Sequence, residues 1–286
     1  MSDERVSRAA IVTGSDSGIG RATAVALADA GFDIGVTWYS DEAGAEETAR
    51  LVRALGRRVE VRRLDLGEPP AAAAVIDEVS AALGRLQVFV NNAAVDHRAG
   101  VLEERLADWS RVITVDLTGP FACAQAAARR MVQQRTEGRI VNVTSVHEHV
   151  PARRGGAYCA AKTALGMLTK VMALDLVEHG ITVNSIAPGH VATPMTGHRG
   201  EQTTAVLRPE IPIGRAADPR EIGAAVAYVC SPAAAYTTGT SLIVDGGLVL
   251  AGVLPLQRAL EGRRRAQDRD RGGSVIQPVA PSGDPG

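Results

Sequence analysis

From Arg8 to Val90 short apolar runs alternate with stretches of helical spacing, and a glycine closes each helical stretch. The runs are Arg8 to Thr13, Asp33 to Tyr39, Arg58 to Leu64 and Gln87 to Val90; the helical stretches between them are Gly18 to Ala30, Glu42 to Leu55 and Pro70 to Leu83. Gly31, Gly56 and Gly84 stand just past the helix ends, where a residue free to turn left-handed stops a helix. Such alternation requires right-handed crossovers between parallel strands. The pattern therefore predicts an α/β chain built on a single doubly wound parallel sheet with helices on both faces. Further on, Leu106 to Gln134 reads as one long alanine-rich helix and Arg139 to Thr144 as a strand. Helix Gly156 to Glu178, stopped by Gly180, strand Thr182 to Ile186, helix Pro219 to Cys230 and strand Ser241 to Val244 complete the series.

The chemistry concentrates in Ser145 to Lys162, SVHEHVPARRGGAYCAAK, which begins at a strand end and finishes inside a helix. Positions four apart share a helix face, so the ammonium of Lys162 can sit beside the phenol of Tyr158. A free tyrosine ionises near pH ~10 and is a poor base at neutrality, whereas a neighbouring cation favours the phenolate. The pair can then trade a proton with an alcohol or carbonyl. The chain has only two lysines, Lys162 and Lys170, so the cation at this spacing is not a by-product of a lysine-rich surface.

A second signal follows the first strand. Thr13-Gly14-Ser15-Asp16-Ser17-Gly18-Ile19-Gly20 is a glycine-rich turn opening a helix. Its glycines let backbone approach a pyrophosphate while the helix N-terminus supplies N–H groups and positive dipole. Asn91-Asn92-Ala93-Ala94 lies at the carboxyl end of the fourth strand, where ligands sit in open α/β sheets. Together with Ser145, Tyr158 and Lys162, these motifs resemble the classical short-chain dehydrogenase/reductase family, over about residues 8 to 248.

The resemblance implies a seven-stranded Rossmann-type sheet of order 3-2-1-4-5-6-7, within a domain spanning residues 1–250. It implies hydride transfer between a nicotinamide cofactor and a carbon bearing oxygen, with Tyr158 as proton carrier, Ser145 holding the substrate oxygen and Lys162 serving both Tyr158 and the nicotinamide ribose. Gly14, Ser15, Asp16, Ser17, Gly18, Ile19 and Gly20 would take the pyrophosphate. Tyr39, Ser40, Asp65 and Leu66 would take the adenosine end, with Asn92 and Ala93 beside the cofactor. Pro188 to Met195, PGHVATPM, is similar to the family's nicotinamide loop: Pro188 and Gly189 would bind the cofactor, and the Val191 backbone and Thr193 hydroxyl would hold the carboxamide. The family's VNLTG pattern reads here Val115-Asp116-Leu117-Thr118-Gly119, so Asp116 replaces the usual asparagine of the catalytic tetrad. Relatives pair their two long helices across subunits, which implies a homotetramer or a dimer.

The end of the second strand offers neither an acid nor an arginine to read the ribose, only Trp38, Tyr39 and Ser40. Asp16, Asp41 and Glu42 nearby would repel a 2′-phosphate, which favours NAD over NADP. His147 and Glu148, just past Ser145, and Asp96, past the Asn-Asn-Ala-Ala motif, are candidate substrate contacts. The wording SVHE, Gly214-Arg215 and the Tyr236 to Gly247 stretch is most similar to glucose 1-dehydrogenase members of the family. With a polar segment from Thr196 to Gly214 read as a substrate lid, this points to a small sugar- or polyol-type substrate. Arg153 and Arg154 keep open a 3-oxoacyl thioester reductase, and Asp116 a non-catalytic cofactor-binding regulator or scaffold.

Composition excludes other classes. The 31 basic and 32 acidic side chains nearly cancel, leaving no field suited to gripping nucleic acid. The longest apolar stretch, Leu242 to Leu256, is interrupted by Asp245 and Pro255, so no membrane span or secretory leader is expected and a cytoplasmic protein is. Cys123, Cys159 and Cys230 are widely spaced and match no metal pattern, and His147-x-His149 lacks further ligands, so no metal is expected. Residues 251–286 read as an extension: a short arginine-rich helix within Leu256 to Arg271, then a Gly/Pro-rich tail.

Overall fold

A computed structural model describes residues 8–197 and 207–253. Seven parallel strands run β1 (Arg8–Val12), β2 (Asp33–Trp38), β3 (Val59–Arg63), β4 (Arg85–Asn91), β5 (Arg139–Val143), β6 (Thr182–Pro188) and β7 (Ser241–Val244). They lie in the order β3-β2-β1-β4-β5-β6-β7, as the sequence implied. The order reverses between β1 and β4, which opens a crevice at their carboxyl ends.

Period-two alternation sends neighbouring side chains to opposite layers. Ile11, Phe89 and Ile140 face one core with α3 (Pro69–Leu83), α5 (Gly119–Gln133) and α6 (Gly156–Leu176). Val12, Val88, Val90 and Val141 face the other, under α1 (Gly18–Asp29), α2 (Glu42–Ala54) and α7 (Pro219–Cys230). Phe89 and Leu27 are fully buried in these layers, and each such side chain contributes about 1.5–3 kcal/mol of transfer free energy.

The single helix expected from Leu106 to Gln134 is in fact broken. It is α4 (Leu106–Ile113), a widened π-type turn at Thr114–Thr118, and then α5. Pro120 has no N–H to give the carbonyl of Asp116, so the regular ladder cannot continue, and Gly119 N donates instead to Thr114 O, five residues back. The widened turn carries Asp116 to the interior.

By compactness the chain divides into Met1–Val249 and Leu250–Gly286. The second unit is described only through Val253, the end of a 3-10 turn that starts at Val249. The arginine-rich helix expected within Leu256 to Arg271 lies outside the described residues, as does part of the expected lid, 198–206. No described helix is long and apolar enough to cross a membrane.

Candidate active site

The carboxyl ends of β1, β2, β4, β5 and β6 surround a cleft of about 510 Å3. On one wall is the glycine turn, held by side-chain hydroxyls and an amide as well as by backbone bonds such as Ser15 N to Thr37 O at 2.9 Å. Thr13 Oγ1 accepts from the N–H groups of Asn92 (2.9 Å) and Ala93 (3.0 Å), and Asn92 Nδ2 donates back to the carbonyls of Thr13 (2.9 Å) and Gly14 (3.0 Å). Ser15 faces inward: its hydroxyl donates to Val12 O and accepts from Thr37 N, so it ties β1 to β2 and does not line the cleft. The Arg21 guanidinium bonds the carbonyls of Asp16 and Gly44, while its Nε donates to Thr48 Oγ1 at 3.0 Å. A Cβ at Gly20 would stand 2.1 Å from Gly14 O, so only glycine lets the helix start this close to the turn.

Opposite lies the loop after β6. Pro188, Gly189, Val191 and Thr193 line the cleft, and Thr196 Oγ1 stitches the loop by donating to Val191 O at 2.7 Å while accepting from Thr193 N at 3.1 Å. A Cβ at Gly18 would come within 3.2 Å of the Thr193 methyl, so the two loops almost meet above the crevice.

Between them sit Ser145, Tyr158 and Lys162. Ser145 lies two residues past β5 and caps a 3-10 turn (Val146–Glu148), and its Oγ accepts the N–H of His147 at 3.2 Å. Tyr158 and Lys162 are one turn apart on α6, with Nζ 5.5 Å from the phenol ring centroid. Lys162 is 2% exposed; its ammonium donates to Val143 O at 3.4 Å and lies 3.6 Å from Asp116 Oδ2. The other oxygen of Asp116 accepts from Val95 N at 2.8 Å. Burial pushes the Asp116 carboxyl above the usual range, against the opposing pull of Lys162 and the Val95 N–H. A second cation, Arg98, stacks 5.5 Å from the Tyr158 centroid and pairs with Asp96 at 2.8 Å.

Buried amides brace the helices that carry these groups. Asn91 Nδ2 donates to Pro120 O and to Asn142 Oδ1, and Asn142 Nδ2 donates to Thr169 Oγ1, linking β4, α5, β5 and α6.

Of the remaining sequence candidates, Gly14, Asp16, Ser17, Gly18, Ile19, Gly20, Tyr39, Ser40, Asn92 and Ala93 line the cleft. Asp65 and Leu66 do not: Asp65 Oδ1 accepts from Gly67 N at 2.8 Å, Leu66 is buried under α5, and Leu64 forms that part of the wall. Asp96 lines an adjoining polar recess of about 190 Å3 together with His97, Asp108 and Arg111. His147 stands edge-on to Tyr158, its Nδ1 held by Val150 O. Glu148 corrects the expectation of a substrate contact, because its carboxylate is buried behind the turn on Thr144, Ser185 and Ser241. Arg111 lines the cleft with no sequence signal to mark it, being one arginine among many, while Met195 lines it as the last residue of the Pro188 to Met195 loop.

The cradle fits a dinucleotide. Ser17, at the N-cap of α1, makes no side-chain capping bond and the first turn holds no acid, so its N–H groups remain for a pyrophosphate. Among the described residues no group of three or more His, Cys, Asp or Glu side chains is placed to hold a metal ion.

Residues 13–249 match the family model described as enoyl-(acyl carrier protein) reductase. The chain is 50% identical over 246 residues to the uncharacterized oxidoreductase YohF of Escherichia coli (strain K12), covering 86% of this chain and 97% of that protein. It is 34% identical over 252 residues to glucose 1-dehydrogenase 2 of Bacillus subtilis (strain 168), covering 87% and 98%. The crystal structure of acetoin dehydrogenase from Enterobacter cloacae superposes with a TM-score of 0.82 at 51% identity, over 87% of this chain and 98% of that one. With the seven-stranded sheet, the glycine cradle and the Ser145, Tyr158 and Lys162 constellation in place, the chain belongs to the classical short-chain dehydrogenase/reductase family, an NAD(P)-dependent oxidoreductase of alcohols and ketones.

Proposed function

We propose that the substrate is a small polar ketone or alcohol of the sugar or polyol type, with vicinal hydroxyketones of acetoin size the first to test. The carrying observation is the shape and polarity of the site. A cleft of about 510 Å3 has to hold the dinucleotide as well as the substrate, and it adjoins a recess lined by Asp96, His97, Asp108 and Arg111. A long acyl chain would meet charge there instead of an apolar channel. Similarity to acetoin dehydrogenase and glucose 1-dehydrogenase supports the same class.

In this reading the chain's own groups handle the oxygen and its proton. Ser145 Oγ spends a lone pair on His147 N–H, which leaves its proton to donate to the substrate oxygen. Ser145 keeps that proton and only hydrogen-bonds, Tyr158 exchanges the one proton transferred at that oxygen, and Lys162 supplies positive charge from within the site. The glycine turn, Asn92, Ala93, Val191 and Thr193 hold the cofactor, which when bound supplies the hydride chemistry. NAD(H) is the proposed partner, because Asp16 lines the adenosine side with Asp41 close behind, both of a sign that repels a 2′-phosphate. Exposed Met167, Val171 and Leu174 on α6 support pairing of copies into a dimer or tetramer. Three unpaired cysteines, with the Cys123 and Cys230 thiols each pushed up to about 12 by burial, support a cytoplasmic setting.

A 3-oxoacyl thioester reductase is the second reading, favoured by the exposed Arg153 and Arg154 just before α6. Turnover of acetoin, diacetyl, sugars, polyols and a 3-oxoacyl thioester with each cofactor tests the proposal. A kcat/KM for the thioester about tenfold above every small hydroxyketone and polyol overturns it.

A further inference from the structure

The carboxylate of Glu148 lies next to Ser145 in sequence yet serves neither the cleft nor the surface; its side chain is 6% exposed. One oxygen, Oε2, gathers hydroxyls from three neighbouring strands: Thr144 just past the end of β5 at 2.7 Å, Ser241 at the start of β7 at 3.1 Å and Ser185 in the middle of β6 at 3.4 Å. The chain of donors continues outward, with His149 Nε2 3.0 Å from Ser241 Oγ. A serine hydroxyl that donates to the carboxylate has a lone pair left for an imidazole N–H, so the bonds form one consistent series.

The other oxygen points at α6. A Cβ on Gly166 would stand 2.2 Å from Oε1, so the carboxylate occupies space that any other residue at 166 would fill. Positions 158, 162 and 166 succeed one another by four residues and share a helix face. Glu148 therefore presses on the helix one turn beyond Lys162, on the line that carries Tyr158. At its own backbone Glu148 N donates to Ser145 O at 2.8 Å, and Thr163 Oγ1 donates to Glu148 O at 3.2 Å. One residue thus fastens the turn that aims Ser145 to the helix that aims Tyr158.

We propose that Glu148 is a positioning residue, which fixes the Ser145 hydroxyl against Tyr158 by bracing the 3-10 turn between the hydroxyls of β5 to β7 and the gap at Gly166. The inference rests on Ser145 and Tyr158 being the groups that meet substrate oxygen. Misplacing a reacting group by about 1 Å can cost on the order of a hundredfold, while a group that only stabilises the fold changes melting temperature and leaves kcat alone.

The test compares Glu148→Gln, Glu148→Ala, Gly166→Ala and the double variant Glu148→Ala/Gly166→Ala, measuring kcat, KM, cofactor dissociation constant and melting temperature. Glu148→Gln keeps an acceptor for the hydroxyls and should stay within about threefold of wild type in kcat. Glu148→Ala and Gly166→Ala should each lose about tenfold or more in kcat with cofactor affinity within about twofold, and the double variant should lose no more than either single, since both break the same contact. Additive losses, or a Glu148→Ala kcat within about twofold of wild type, overturn the proposal. Should Glu148→Ala fail to fold, Gly166→Ala and Ser241→Ala decide: a fall in kcat at constant cofactor affinity supports it and unchanged kcat in both overturns it. Tyr158→Phe separates the two levels. If that variant is active the catalytic reading itself fails; if it is dead while Glu148→Ala is unimpaired, only the positioning role fails.

Discussion

Asp116 Oδ2 lies 3.6 Å from Lys162 Nζ, deep in the protein, with no hydrogen-bond partner of its own among the described residues. The widened turn before Pro120 puts it there, and Val95 N holds its other oxygen. An asparagine could accept the same N–H, so the tie to β4 does not depend on charge. What the carboxylate adds is a negative charge beside the site's buried ammonium. It favours the charged lysine and offsets part of that lysine's pull on Tyr158. Asp116→Asn is therefore expected to change activity by less than about tenfold and, in the reduction direction, to move the basic limb of the pH profile to lower pH. A wild type inactive on every carbonyl and alcohol, with turnover appearing only in Asp116→Asn, would contradict this.

Tyr158→Phe keeps the ring that Arg98 and Lys162 flank and removes only the ionisable oxygen. Turnover should vanish while cofactor binding stays nearly intact. Activity within about tenfold of wild type would refute Tyr158 as proton carrier. Lys162→Arg should also be severe, because a wide guanidinium has no room where the ammonium reaches both Val143 O and Asp116.

The fold was legible because period changes and glycine stops are local signals, and each strand buried on both faces writes its apolar run plainly. The break at Thr114–Thr118 was written in Pro120, but alanine-rich helical spacing on both sides masked it. Site legibility followed chain contiguity. The glycine turn and the Tyr158–Lys162 spacing act as units in sequence and in space. Glu148 was misread because Ser145 is the extended N-cap of the 3-10 turn (φ -169°, ψ 162°) and not part of it, so closeness in sequence does not carry the direction of the Ser145 side chain over to Glu148. Leu64 and Arg111 reach the cleft through tertiary packing that no short pattern encodes.

Arg111 makes no side-chain hydrogen bond or ion pair among the described residues, yet it lines both the cleft and the polar recess. An exposed arginine without partners costs little stability to remove. Its guanidinium is free for a polar substituent of the substrate, and a charge-assisted hydrogen bond contributes about 1.5–3 kcal/mol. Arg111→Ala should raise KM for hydroxyketones about tenfold, with kcat and melting temperature close to wild type. An unchanged KM across the substrate panel removes Arg111 from substrate recognition.

The adenosine corner also carries a cation that the strand-end reading did not weigh. Arg63, at the end of β3, stacks 5.1 Å from the Tyr39 ring centroid and donates to Tyr39 O, while Asp16, which lines the same cleft as Tyr39, is close enough to Asp41 to feel its charge. NAD(H) should still be preferred, and Arg63→Ala should widen that preference by lowering kcat/KM for NADP(H) alone. Side-by-side kcat/KM values check both statements, and a tenfold preference of the wild type for NADP(H) overturns the first.

The direction of the Asp116 shift sets a test that needs no substrate. Burial raises this carboxyl above its unfolded value, so the folded protein holds the proton more tightly than the unfolded chain does. Stability from that proton is fully present below the unfolded value of about 3.9 and is lost as pH rises through the raised folded value. Asp116→Asn is neutral throughout and escapes the loss. The pair with Lys162 forms only as the carboxyl ionises and already opposes burial in setting the folded value, so the offset between the variant and the protonated wild type does not vary with pH. The melting temperature of Asp116→Asn minus that of wild type should therefore increase as pH is raised from about 4 to 7. A difference that instead shrinks over this range would mean that Lys162 outweighs burial and lowers the Asp116 carboxyl below its unfolded value.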